Sequence, residues 1–208
     1  MSHITVPPAP NEAGPAWDVA RLFPDQGGWS EGDYLDLVGR TNQLVELSDG
    51  RIKVLGCSTT SHQRILGYVC RQLAAFVEPR RLGRVVVAAY PVRLRPGTFR
   101  EPDVVFMLAE HADRLGEEYA EGADLVMEVV SEKNRAHDLV IKRAEYAAAG
   151  IPEYWIVDPR DRKITVLSLS GDRYTIHGEF DPGSRAASVL LTAFEVDVDA
   201  LFTAGVGK

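Results

Sequence analysis

Asp103 heads the apolar run Val104-Val105-Phe106, and Glu128 lies within Leu125-Val126-Met127-Glu128-Val129-Val130. A carboxylate inside a β-branched run is costly to bury unless a metal or a counter-ion compensates it. Two of them, with Lys142 on the segment that follows, point to a hydrolytic site built on a divalent metal. Hard oxygen ligands suit Mg²⁺ or Mn²⁺, which keep water and accept phosphate oxygens in their remaining positions. Such an ion lowers the pKa of a bound water and withdraws charge from a scissile phosphate. The Lys142 ammonium could stabilise the attacking hydroxide or the charge that develops in the transition state. Against this stands a plain surface reading, an exposed i,i+4 pair of Asp138 with Lys142 worth about 0.3–0.5 kcal/mol.

The elements that must position these groups read as α/β. Trp29 to Val38 is a short helix capped by Ser30, with acids in its first turns. Asn42–Leu47 and Arg51–Leu55 form a hairpin closed by an Asp-Gly turn. Ile65, Leu66, Val69, Cys70, Leu73, Phe76 and Val77 recur at three and four residues, which predicts a helix that Pro79 ends. One strand is expected over Val85–Leu94, another over Asp103–Leu108, and a central strand over Asp124–Val130, whose continuous hydrophobicity suits cover on both faces. A helix from about His137 to Ala149 stops at Gly150, and Glu153–Asp158 returns as a strand, so a crossover between parallel strands is expected. Lys163–Leu169 and Arg173–Gly178 add antiparallel strands.

With 208 residues, of which 45% are hydrophobic and 25% charged, the chain can bury a sizeable core. A flexible lead over residues 1–28 and a single domain over 29–208 are expected, because the start is rich in proline and poor in apolar residues. No run approaches the roughly 20 apolar residues of a membrane span, and no signal peptide is read, so a cytoplasmic location is expected. Cys57 and Cys70 have no metal-ligand spacing and read as reduced structural thiols. The net charge of -7 argues against a nucleic-acid partner, yet Arg51 to Arg100 holds 10 Lys and Arg against the single acid Glu78. That block either forms an electropositive approach to the acids or scatters over several faces.

The ordered set Pro102-Asp103, Glu128-Val129-Val130-Ser131, then Asp138, Lys142 and Tyr146 at intervals of four, and Gly150-Ile151-Pro152-Glu153-Tyr154-Trp155-Ile156-Val157-Asp158-Pro159 resembles the bacterial Uma-two family of endonucleases. That family lies in the PD-(D/E)XK restriction-endonuclease-like superfamily. Val45-Glu46-Leu47-Ser48-Asp49-Gly50, the helix opening at His62, and Phe194-Glu195-Val196-Asp197-Val198 extend the resemblance over about Trp29 to Phe202. It implies a restriction-endonuclease-like α/β fold, a central mixed sheet flanked by helices, with Asp103 and Glu128 as ligands of Mg²⁺ or Mn²⁺ and DNA as the substrate. In the superfamily's plain motif the lysine lies two residues after the second acid, where this chain has Val130. Related members supply it from the adjacent helix, and Lys142 is the natural candidate.

Glu46 is either a further metal-site carboxylate, as the resemblance suggests, or a solvent-facing strand residue. His62 caps or decorates its helix unless it faces Asp103, where it could orient the acid or contact phosphate. Glu101 is expected to point away from Asp103, Asp124 to enter a strand and Asp158 to serve a turn. The reading is a metal-dependent endonuclease hydrolysing DNA, for which a homodimer would suit double-strand cutting. The alternative is a catalytically silent nucleic-acid-binding or interaction protein of the same fold, and hydrolysis of RNA or a small phosphoester is a third possibility.

Overall fold

Alternation along three neighbouring strands divides the core. Val104, Phe106, Leu125, Met127, Trp155 and Val157 pack into one hydrophobic cluster, whereas Val105, Met107, Val126, Tyr154 and Ile156 pack into another on the opposite face. Side chains two apart share a face of a strand, so a sheet covered on both sides needs apolar residues at every position. The sequence supplies them everywhere except at the acids.

The computed structural model describes residues 23–56, 58–131, 135 and 137–206, apart from the side chains of His137 and Asp138. Cys57 therefore lies outside the described residues, as does the side chain of Asp138, the partner in the surface pair. Helix α1 (Glu31–Val38) begins at the Ser30 cap, where Ser30 and Asp33 form a reciprocal capping box. The hairpin β1 (Val45–Ser48) and β2 (Arg51–Val54) turns through Asp49 and Gly50 at φ 48° and 74°, the left-handed pair that a two-residue turn requires. Helix α2 (Thr60–Val77) starts at Thr59, whose side chain accepts from the His62 N–H.

The strand expected over Val85–Leu94 is two strands in different sheets, β3 (Gly83–Val87) and β4 (Val92–Arg95). Pro91 lies in the break and has no N–H to offer a ladder. Then come β5 (Thr98–Arg100), β6 (Val104–Leu108), a 3₁₀ turn at Ala109–Arg114, β7 (Ala120–Glu121) and β8 (Leu125–Val129). The helix expected from about His137 is a π turn (His137–Ile141) running into α3 (Lys142–Ala148). Strands β9 (Glu153–Asp158), β10 (Lys163–Ser170) and β11 (Arg173–Phe180) follow, then a small pair not anticipated from the sequence, β12 (Arg185–Ala187) and β13 (Glu195–Asp197), and helix α4 (Val198–Val206).

The main sheet runs β11-β10-β9-β8-β6-β3, and a five-stranded sheet runs β2-β1-β5-β4-β7. It is mixed as expected: β8 and β9 are parallel and their outer neighbours antiparallel. Helices α2 and α4 cover the face of Trp155, and α3 covers the face of Tyr154. Part of the expected lead is held, not free. The Gly27 N–H donates to Gly50 O at 2.7 Å, and the Gln26 side chain bonds both the N–H and the C=O of Ile52. Among the described residues no helix is long and apolar enough to cross a membrane.

Candidate active site

Strand register brings the two acids together. Strands β6 and β8 pair Val104 with Met127, Val105 with Val126 and Phe106 with Leu125, and one further step along the same antiparallel register sets Asp103 beside Glu128. By alternation both belong to the face that α3 covers, along with Val105 and Val126. Asp103 stands just ahead of the strand, and its Oδ2 accepts the Val129 N–H at 2.7 Å, which ties it to the neighbouring backbone.

Lys142 and Tyr146 are four apart on α3 and so share the helix face turned to the sheet. Both reach the same atom: Glu128 Oε1 accepts from Lys142 Nζ and from the Tyr146 hydroxyl, each at 2.7 Å. The ammonium therefore arrives at the second acid from the helix, while Val130 lines the wall nearby. Glu46 is buried, not solvent-facing. With 2% of its surface exposed, it places Oε1 3.2 Å from Lys142 Nζ. Lys142 is thus clasped by two carboxylates and is itself 2% exposed, so the exposed-helix reading of this lysine does not hold. His62 meets the condition set for it, since its Nε2 lies 3.1 Å from Asp103 Oδ1.

Glu101 corrects one expectation. Residues two apart in an extended chain point the same way, and Glu101 lines the same cavity as Asp103. It is 2% exposed, and its Oε2 has no hydrogen-bond partner among the described residues. Burial pushes its carboxyl up to about 7 from 4.5, a rise opposed by the Val45 backbone bond and strengthened by the charge of Glu46. Between those two values the folded protein holds a proton that the unfolded chain has released, so Glu101 lowers stability as pH rises from 4.5 to 7, by about 3 kcal/mol in all. Glu101→Gln removes this titration. Urea unfolding of the metal-free protein is expected to show the variant gaining on the wild type as pH rises through that window. A stability difference that stays constant across it would contradict the assignment.

Arg100, 3% exposed, fastens the parts to one another. Its guanidinium donates to both Glu145 carboxylate oxygens, at 2.7 and 2.5 Å, and to Leu47 O at 2.8 Å. Glu145 lies on α3 between Lys142 and Tyr146, so this bidentate pair locks the helix carrying the lysine to the strand carrying Glu46. Nothing in the sequence beyond the spacing of Lys142 and Tyr146 announces these supports. Three other acids are structural. Asp124 accepts the Leu108 N–H, and Asp158 accepts the N–H groups of Arg160 and Asp161. Glu153 accepts from Trp155 Nε1, Ser188 Oγ and the Val189 and Leu190 N–H groups.

Glu101, Asp103, Glu128 and Lys142 border a cavity of about 720 Å³. None of the lysines and arginines from Arg51 to Arg100 lines it. Within that block Arg93 is spent on Glu31 and Glu121, Arg95 on Asp49 and Arg100 on Glu145. Among the described residues no group of three Asp, Glu, His or Cys side chains is arranged to hold a metal by itself. The donor pair present, the adjacent carboxylates Asp103 and Glu128, fits an ion that takes one or two carboxylates and fills its remaining positions with water and phosphate oxygens.

The family described as "Uma2: Putative restriction endonuclease" matches residues 32–199. Among solved structures, the chain is similar to "a putative nuclease belonging to DUF820 from Anabaena variabilis ATCC 29413", with 15% identity and a TM-score of 0.67 over 82% of this chain and 98% of that one. At that identity the likeness speaks for the fold. No curated protein matches the chain significantly.

Proposed function

We propose that this chain, which belongs to the Uma2 family, is a nuclease that hydrolyses DNA phosphodiester bonds with the help of Mg²⁺ or Mn²⁺. The observation that carries this reading is the meeting of Asp103, Glu128 and Lys142 at one cavity, drawn from two strands and a helix far apart in sequence. Asp103 and Glu128 would hold the ion. When bound, it would polarise the scissile phosphate and make water a nucleophile near neutral pH.

The chain's own residues have separate tasks. Lys142 keeps a positive charge beside Glu128, where it can move to a phosphate oxygen or the attacking hydroxide as negative charge develops. Tyr146 fixes the Glu128 oxygen that faces α3, which restricts how the carboxylate turns. His62 and the Val129 N–H each bond one Asp103 oxygen and orient that acid. Membership of the family supports DNA as the substrate, and the depth of the acids supports a strand whose phosphate enters the cavity. In a silent binding protein of the same fold Lys142 would serve only to neutralise Glu128 and Glu46, and no ion would bind.

Calorimetric titration with Mn²⁺ tests the reading. Wild type is expected to bind, and Asp103→Ala to bind at least about tenfold more weakly, the size of effect that loss of a metal-site group produces. A wild type without affinity for Mn²⁺ or Mg²⁺ would sink it.

A further inference from the structure

Four basic side chains line the cavity: His62, Lys142, Arg135 and Arg160. Three are held by acids. His62 lies against Asp103, Lys142 is clasped by Glu128 and Glu46, and Arg135 pairs with Asp158 and Asp161. Arg160 is exposed and forms no ion pair among the described residues. A cation already paired must exchange one anion for another to receive a phosphate, whereas an unpaired guanidinium presents its donors at no such cost.

Its backbone is not adrift. Arg160 stands in the turn between β9 and β10, where the Asp158 carboxylate accepts the N–H groups of Arg160 and Asp161 at 3.1 and 3.3 Å and fixes the loop. Strand β9 is the parallel neighbour of β8 and pairs Ile156 with Glu128 and Val157 with Val129. The chain therefore leaves β9 at the end of the sheet where β8 delivers Glu128. One strand spacing is about 4.8 Å, so Arg160 rises from the rim next to the acids and not from a remote surface.

We propose that Arg160 is the contact to a phosphate flanking the scissile one on the same nucleic-acid strand, an assignment that rests on the nuclease reading above. The reacting phosphate would meet the ion that Asp103 and Glu128 would hold, and Arg160 takes the neighbouring phosphate at the rim. This gives the strand a direction across the site, from the α3 side towards the β9–β10 turn. The contact holds the sugar-phosphate backbone and reads no base.

The test is a salt titration of binding by a fluorescein-labelled DNA oligonucleotide, single-stranded and duplex, read by anisotropy. Each variant is placed in an Asp103→Asn background so that the DNA survives. The slope of log affinity against log salt counts phosphates neutralised, about 0.7 to 0.9 each. Arg160→Ala is expected to weaken binding several-fold and to flatten the slope by about one phosphate, whereas Arg160→Lys keeps the charge and the slope. Salt-dependent binding by the parent with an unchanged slope and affinity in Arg160→Ala overturns the Arg160 assignment alone. A parent that binds neither form of the DNA at low salt overturns the nuclease reading and Arg160 with it.

Discussion

Lys142→Met is expected to abolish cleavage and to destabilise the protein by about 3–5 kcal/mol, the range for breaking a buried ion pair by removing one partner. Methionine matches the lysine side chain as far as Cε and lacks only the ammonium, so most of the packing survives and the loss falls mainly on the charge. Lys142 Nζ lies 2.7 Å from Glu128 and 3.2 Å from Glu46, with all three residues at most 4% exposed. Without the ammonium, two carboxylates face one another in a site shielded from water. Urea unfolding of the metal-free variant measures the deficit. Adding Glu128→Gln to Lys142→Met should recover part of that stability, because it removes one of the two charges the ammonium had faced, and should recover none of the cleavage. A Lys142→Met protein as stable as wild type would show that the lysine does not neutralise the acids.

Asp103→Asn separates the site from the fold in the opposite way. Cleavage is expected to fall by a factor of 10³ or more, equivalent to about 4 kcal/mol of transition-state stabilisation, while folding stability changes by no more than about 1 kcal/mol. The amide keeps one oxygen to accept the Val129 N–H, which Asp103 Oδ2 accepts at 2.7 Å. It also takes one negative charge out of a crowd that includes Glu46, Glu101 and Glu128, each at most 4% exposed. Single-turnover cleavage beside a thermal melt reads both quantities. Equal losses of stability and activity would make Asp103 a structural acid.

The contrast between these variants reflects what was legible in the chain. A charged residue in an apolar strand is conspicuous, so Asp103 and Glu128 stood out, and the four-residue spacing placed Lys142 and Tyr146 on one helix face. Their meeting was not legible, because it depends on β6 pairing antiparallel with β8 in the register that sets Val104 against Met127, and alternation alone does not choose partners. The same gap explains Val85–Leu94, which reads as one β-rich run but crosses from one sheet to another at Pro91. Glu46 stayed ambiguous since a four-residue strand does not reveal that its second face is also covered. The basic block left two alternatives open because charge in sequence carries no direction: Arg93, Arg95 and Arg100 turn to acids, and the cavity cation with no ion pair among the described residues, Arg160, comes from the β9–β10 turn.

Asp103 and Glu128 are proposed to support metal-dependent hydrolysis of DNA. Incubating purified protein with supercoiled plasmid, with Mg²⁺ or Mn²⁺ and with excess chelator, tests it directly, with Glu128→Ala prepared in parallel to expose any contaminating nuclease. The expected result is conversion to nicked or linear DNA by wild type with metal, none with chelator and none by Glu128→Ala. Cleavage that persists in chelator or in Glu128→Ala, or a wild type that leaves the plasmid intact with both metals, would contradict it.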